Sequence, residues 1–184
     1  MSPREFNPLR LDVEAFAQAG AELRGEWALA DTPRLLHSVL APTPAAPGEP
    51  IRWSVRGERR RAAGASAQTW LHLEVQARVR LECQRCLSPV EVALEIDRPF
   101  RFVAEEAQAA ALDAEMEEDV LVTSRALDLR EWVEDELLLA LPIVPRHGTC
   151  PQALTAGAPA EPELAERPHP FAALAALKKP DRAH

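Results

Sequence analysis

Two neighbouring stretches of the chain alternate apolar and polar side chains with a period of two. In residues 69–82, the odd positions from Leu71 onward are apolar and the even positions between them are polar. In residues 89–103, the even positions from Val90 to Ile96 are apolar and alternate with Glu91, Glu95 and Asp97, and Phe100 and Phe102 continue the strand. This period is typical of half-buried β-strands. Because only a short connection joins the two stretches, we predict an antiparallel hairpin at the centre of the fold.

A helix with one apolar face is predicted after the hairpin, over residues 128–140. Asp128 and Glu131 have the spacing of a capping box, and Pro142 ends the helix. Shorter elements are predicted as helices over 13–19 and 33–39 and as strands over 23–29, 51–55 and 120–122. The predicted fold class is α+β: an antiparallel meander sheet, open or barrel-like, with a covering helix and short peripheral helices.

The predicted domain covers residues 1–150. Within it, residues 105–119 carry seven acidic side chains and no basic one, so we expect either a mobile loop or a marginal helix, and favour the mobile loop. Residues 151–184 are predicted to form a linker rich in proline and alanine, followed by a short amphipathic helix at its C-terminal end.

Charge and cysteine content narrow the function classes. The net charge of −8 argues against a protein that coats nucleic acid, and neither DNA nor a membrane is expected as a partner. No apolar run approaches the ~20 residues of a membrane span, and the N-terminus lacks the apolar core of a signal peptide. Three cysteines fit a reducing cytoplasm better than a secreted disulfide framework.

The cysteine pair at the hairpin tip is the strongest chemical signal. Cys83 and Cys86 have the spacing of half a zinc knuckle, and His147 with Cys150 could complete a Cys3His set. The two halves are far apart in sequence, so the spacing leaves three interpretations open: a zinc site, a redox pair, or reduced thiols that fill a turn, of which the spacing favours the last. The redox interpretation is weakened because such pairs usually lie at a helix N-terminus.

Arginines form the second candidate site, for ribosomal RNA or another partner. They lie in a predicted basic turn and along the polar face of the hairpin. The candidates are Arg56, Arg59, Arg60, Arg61, Arg78, Arg80 and Arg85. A guanidinium can bond two phosphate oxygens at once, which suits RNA. The alternative, which charge alone favours, is a solvated face on which Glu58, Glu74 and Glu82 pair with the arginines.

Enzyme signals are sparse. The sequence has no glycine-rich phosphate loop and no nucleophile elbow, and its histidines are scattered. Carboxylates are frequent only in the acidic segment and on the predicted solvated side of the 128–140 helix.

Three motifs, in order, resemble the YceD family of bacterial large-ribosomal-RNA accumulation proteins. They are the Leu-Glu-Cys-Gln-Arg-Cys segment at 81–86, the segment from residue 133 to Cys150, and the Pro-Phe-Ala-Ala-Leu segment that starts at residue 170. The matching motif residues are Cys83, Gln84, Arg85, Cys86, Glu134, Glu136, Pro142, Pro145, His147 and Cys150.

The resemblance implies a cytoplasmic, non-enzymatic factor that supports accumulation of large-subunit ribosomal RNA. Its expected partner is that RNA or a pre-ribosomal particle, or a basic ribosomal protein. The sequence leaves one alternative, a small zinc-dependent or thiol-active enzyme that uses the Cys-x-x-Cys site. Zn2+ is the one cofactor that the residues suggest.

Overall fold

A five-stranded sheet with the spatial order β1-β2-β3-β4-β5 forms the centre of the described structure. The computed structural model describes residues 5–151 except residues 45, 62–65 and 116. The elements are α1 (Val13–Ala19), β1 (Glu22–Trp27), a 3-10 turn (Leu29–Asp31), α2 (Pro33–Ser38), β2 (Ile51–Arg60), β3 (Gln68–Glu82), β4 (Pro89–Val103), α3 (Glu106–Asp113), β5 (Asp119–Val122) and α4 (Leu129–Leu139). The fold class is α+β, as predicted.

The central hairpin is confirmed. β3 and β4 pair antiparallel, with Val75 opposite Ile96 and Leu81 opposite Val90. These four side chains are buried on one face of the sheet. A slip of one residue would turn the apolar set of either strand toward solvent, so burial specifies this register.

The edges of the sheet differ from the prediction. β5 pairs in parallel with β4, over Phe100–Val103, whereas the sequence predicted antiparallel pairing. A parallel partner needs a crossover connection, and α3 lies in the connection between β4 and β5. The sheet is open, with β1 and β5 at its edges, so the barrel-like form is wrong. Among the described strands, the six-residue β1 pairs with β2 and the four-residue β5 pairs with β4, and the two edge strands do not pair with each other.

The core lies on the sheet face formed by odd positions of β2 and β3 and even positions of β4. Trp132 of α4 packs edge-on against Phe100 and Phe102, with ring centroids 4.8 and 5.8 Å away. α1 crosses β2 at Gly57, where an added Cβ would lie 2.8 Å from Cα of Ala17. Burial of a phenylalanine side chain such as Phe100 or Phe102 contributes roughly 1.5–3 kcal/mol to the free energy of folding.

Helices α1 and α4 begin at the residues that the sequence predicts. Asp12 and Asp128 each accept hydrogen bonds from backbone N–H groups of the first helical turn, at 2.9 to 3.2 Å. These caps satisfy donors that have no acceptor within the helix. Among the helices of the described residues, none has both the length and the apolar composition that crossing a bilayer requires.

β2 extends further than predicted. The segment from Arg56 to Arg61 is predicted as a turn, but β2 continues to Arg60, which is opposite Gln68 of β3. Pairing with the long neighbouring strand therefore outweighs the unfavourable run of like charges.

The acidic segment 105–119 contains α3. Ala109 of this helix is buried in a small cluster with Val103 and Val120, so the structure has the helix that the composition left as the alternative to a loop. Its mobility stays a prediction. The described residues fall in the unit Met1–Pro151, and the predicted linker and C-terminal helix lie beyond Pro151, outside the described residues.

Candidate functional site

The structure brings together Cys83, Cys86, His147 and Cys150, which we call the tetrad. Each residue offers one ligand atom, and these atoms all lie within 4.8 Å of one another. The Sγ atoms of Cys83 and Cys150 are 4.0 Å apart, and Sγ of Cys86 is 3.4 Å from Nδ1 of His147. The long sequence separation, which weakened this prediction, is bridged because the chain returns to the hairpin tip after α4.

The imidazole of His147 is oriented by a backbone carbonyl. Nε2 lies 3.0 Å from the carbonyl oxygen of Pro89, at the start of β4. If Nε2 carries the proton, its N–H donates a hydrogen bond to that oxygen. Nδ1 then has a free lone pair, which faces Cys86. This is the usual arrangement of a metal-binding histidine, whose second nitrogen is held by a carbonyl or carboxylate.

Backbone hydrogen bonds shape the turn that carries the two cysteines. The Leu87 N–H donates to the Cys83 carbonyl at 2.9 Å, and the Cys83 N–H donates to the Ser88 carbonyl at 3.0 Å. Leu87 has a φ of 57°, in the left-handed region that residues other than glycine rarely adopt. The Gln84 N–H donates to the Pro145 carbonyl at 2.9 Å, which joins the turn to the segment that supplies the other half of the tetrad.

The tetrad favours thiolate at the hairpin cysteines. Burial acts to raise the pKa of Cys83, but backbone N–H groups, first that of His147, outweigh burial and lower the pKa to about 5. The Ser88 N–H lowers the pKa of Cys86, whereas burial raises the pKa of Cys150. The thiol of Cys83 raises the pKa of His147. Since thiolate is the form that binds metal, Cys83 and Cys86 are suited to be ligands.

Arg85 lies against the tetrad. Its guanidinium donates to Sγ of Cys150 at 3.3 Å and to the His147 carbonyl at 3.2 Å. The hydrogen bond to the Cys150 sulfur raises the pKa of Arg85. Three thiolates around a divalent ion leave one net negative charge, and Arg85 is placed to compensate it.

The tetrad could hold a tetrahedral zinc ion. With Zn–S bonds of about 2.3 Å, two thiolates on one zinc lie about 3.8 Å apart, and a thiolate and an imidazole nitrogen lie about 3.6 Å apart. The separations of 4.0 and 3.4 Å are close to these values. All four positions of a tetrahedron would be filled by protein side chains, as in structural zinc sites.

The predicted arginine site divides into two groups. Arg56 and its neighbours lie at one end of β2, whereas Arg78 and Arg80 lie near the hairpin tip with Arg85. Arg56 is opposite His72 of β3, so at ~3.3 Å per residue Arg80 lies about 26 Å further along that strand. The structure therefore does not gather the seven arginines into one strip.

The individual arginines have different surroundings. Arg59 donates to the Thr69 hydroxyl at 2.8 Å, and Arg60 pairs with Glu58 at 3.0 Å. The guanidinium of Arg60 also lies 4.3 Å from the ring centroid of Trp70. Arg78 pairs weakly with Glu49, at 3.7 Å. The side chains of Arg56, Arg61 and Arg80 make no hydrogen bond or ion pair with another described residue.

The motif carboxylates of α4 lie inside the protein. Glu134 is 3% exposed and Glu136 is 8% exposed, so their assignment to the solvated side of the helix is wrong. Glu134 accepts the backbone N–H groups of Arg34 and Leu35, at 2.7 and 3.0 Å, where α2 begins. Nothing in the local sequence pattern signals this interaction, because the partner lies about a hundred residues earlier.

The part of the chain that carries these motifs matches a known protein family. A family model described as large ribosomal RNA subunit accumulation protein YceD matches residues 71–178, more than half of the chain. The chain belongs to the YceD family. The YceD match contains all four tetrad residues and both motif glutamates, and it confirms the resemblance seen in the sequence.

One curated YceD relative is the large ribosomal RNA subunit accumulation protein YceD of Haemophilus influenzae. It is 41% identical over 111 residues, which are 58% of this chain and 63% of the relative. The chain therefore spans less than two thirds of that relative's length. No solved structure matches.

Proposed function

We propose that this chain supports the accumulation of large-subunit ribosomal RNA as a non-enzymatic factor in the bacterial cytoplasm. In this proposal it acts on a pre-ribosomal particle, through the precursor RNA or a basic ribosomal protein. The description of the family and the name of its Haemophilus influenzae relative support the process. The closed geometry of the tetrad supports the non-enzymatic role, because four protein ligands leave no position for a substrate or an activated water.

The proposal includes a structural zinc ion in the tetrad. Zinc would join the hairpin tip to the segment after α4, which the described hydrogen bonds connect mainly through Gln84, Arg85 and His147. Metal would stabilise such a link strongly. The four ligands come together only in the folded chain, so the free energy of metal binding adds to the free energy of folding.

Zinc content tests this part directly. Protein purified without chelators should contain about one zinc per chain by atomic emission. His147→Ala should lose most of the metal, whereas His37→Ala should keep it, because His37 is exposed on α2 and outside the tetrad. Folded protein with almost no zinc would make the tetrad a cluster of reduced thiols instead.

The arginines are proposed to bind RNA phosphate. Arg56 and Arg61 are the most suitable at the end of β2, because their side chains have no partner among the described residues. Replacing both with Ala should reduce the slope of log affinity against log salt by roughly one for each phosphate that is no longer bound. Arg52→Ala is the control, since Arg52 is exposed on the same strand but pairs with Glu26 at 3.0 Å. An unchanged slope would exclude RNA binding at this end of β2.

Ribosomal RNA levels test the function itself. Cells that lack the chain should show a lower ratio of large-subunit to small-subunit ribosomal RNA, and the chain should sediment with large-subunit precursors at low salt. Wild type and His37→Ala should restore the ratio, and the paired substitution of Cys83 and Cys86 by Ser should not. An unchanged ratio in cells without the chain would refute the proposal.

A further inference from the structure

Part of the central strand β4 has a free edge. β5 pairs with β4 only over Phe100–Val103. From Pro89 to Pro99, no described strand lies beside β4 on the side away from β3. A strand edge with unpaired N–H and C=O groups can accept another extended chain, and such edges are a common route for peptide recognition.

The free edge is acidic on one face of the sheet. Glu91, Glu95 and Asp97 alternate along β4 and are exposed. Asp97 contacts Nε2 of His72 at 2.6 Å, whereas the carboxylates of Glu91 and Glu95 make no hydrogen bond or ion pair with another described residue. Arg78 and Arg80 of β3 lie on the same face, opposite Ala93 and Glu91, so the acidic charge is confined to the edge strand itself. There the carboxylates repel a second copy of the same edge and attract a basic strand.

The other face of the free edge adjoins a cleft of about 470 Å³ between β4 and the end of α4. Its lining is mixed: Ile96, Leu139 and Ala140 are apolar, whereas Glu95, Asp97 and the Arg98–Glu136 ion pair are charged. Leu139 is 77% exposed, and the chain continues to Ile143 and Val144, which are 98% and 51% exposed. Three large aliphatic side chains exposed within six residues of sequence favour an interface with another molecule over a solvated surface.

We propose that the free edge of β4 and the surface formed by Leu139, Ile143 and Val144 dock an extended basic segment of a protein. The segment pairs with β4 as an added strand. Because successive side chains of a strand point to opposite faces, its basic residues meet Glu91 and Glu95 while its apolar residues meet Leu139 and Ile143. RNA fits this surface poorly, since carboxylates repel phosphate and aliphatic side chains offer it little.

The inference rests on the proposed function, and it selects a basic protein of the pre-ribosomal particle as the partner of this surface. A peptide experiment on the full chain tests it. The probe is a short alternating Lys-Val peptide, compared with an alternating Glu-Val peptide of equal length and with single-stranded oligouridine RNA. Affinity is measured by fluorescence anisotropy, and strand pairing is measured by amide exchange of residues 90–98.

The Lys-Val peptide should bind and slow amide exchange in residues 90–98. Glu95→Lys and Ile143→Ser should each weaken binding by about tenfold, because each removes a side chain that is proposed to contact the peptide. Both side chains are exposed, so the fold should tolerate either change. Asp113→Lys, an equal change of charge at the exposed end of α3, should leave binding unchanged.

Three results would overturn the proposal. Equal binding of the Glu-Val peptide would remove the role of charge. A second result is that oligouridine binds, Glu95→Lys strengthens that binding and the Lys-Val peptide does not bind. RNA would then be the ligand of this face. A third result is that amides 90–98 are protected from exchange without peptide and that no peptide binds. The chain itself would then occupy the edge. The ratio of ribosomal RNAs can change under any of these results, so failure here is distinct from failure of the proposed function.

Discussion

Replacing Glu134 with Ala should destabilise the fold far more than replacing its neighbour Asp135. Glu134 is buried and accepts three hydrogen bonds at the start of α2: from the N–H of Arg34 at 2.7 Å, from the N–H of Leu35 at 3.0 Å and from Nε of Arg34 at 2.9 Å. The residue before α2, Thr32, makes no side-chain capping bond there. Glu134 therefore does the work of an N-cap from another helix.

The expected loss for Glu134→Ala is about 2–4 kcal/mol. The Leu35 N–H is buried and loses its acceptor outright, which costs ~1–3 kcal/mol. The two Arg34 donors are partly buried, so water can replace the missing acceptor and they add less. Glu134→Gln should lose about half as much free energy of unfolding. The amide oxygen still accepts one N–H, but the NH2 group cannot accept the hydrogen bonds of the other donors that it faces.

Asp135→Ala is the matched control. Asp135 pairs with the same Arg34, but the two side chains are 52% and 50% exposed. Solvent screens such a pair, which is usually worth less than ~1 kcal/mol. The contrast between neighbouring carboxylates on one helix therefore isolates burial and backbone capping from charge.

Urea unfolding followed by tryptophan fluorescence measures the difference, in zinc-replete buffer for every variant. The m-value should not change, so that a shift in midpoint reports free energy of unfolding. In a domain of this size each kcal/mol also lowers Tm by roughly 2–4 °C. Losses for Glu134→Ala and Asp135→Ala that agree within about 0.5 kcal/mol would refute the capping role of Glu134.

Three further results are expected. Gly57→Ala should cost about 1–3 kcal/mol, because its Cβ would lie 2.8 Å from Ala17; an unchanged Tm would contradict the close approach of α1 to β2. Burial raises the pKa of Glu136, so the folded chain holds this proton to higher pH than the unfolded chain, and its contribution to stability falls as pH rises above about 4.5. Glu136→Gln should lessen that fall in urea midpoints, and parallel pH profiles would exclude the effect. Amides of α3, in which only Ala109 is buried, should exchange faster than those of β3, and equally slow exchange would disprove the mobility of the acidic segment.

The local elements were predictable because their signals are local. The alternation in residues 69–82 and 89–103 produced the correct hairpin, since a period of two can bury only one set of side chains. Asp12 and Asp128 marked the starts of α1 and α4 because a cap acts on N–H groups two or three residues away. The tetrad residues were grouped from residue type and the spacing within each half, and the structure brings their ligand atoms within 4.8 Å of one another.

Tertiary structure decided what depends on distant parts of the chain. No spacing could show that His147 faces Cys86, because their approach depends on where the chain returns after α4. The burial of Glu134 depends on α2, about a hundred residues earlier, so its position on α4 alone indicated a solvated carboxylate. The arginines appeared as one group because charge is visible in sequence, whereas strand length, ~3.3 Å per residue, is what separates Arg56 from Arg80. The free edge of β4 exists because β5 is parallel and short, and pairing partners of a sheet are non-local by nature.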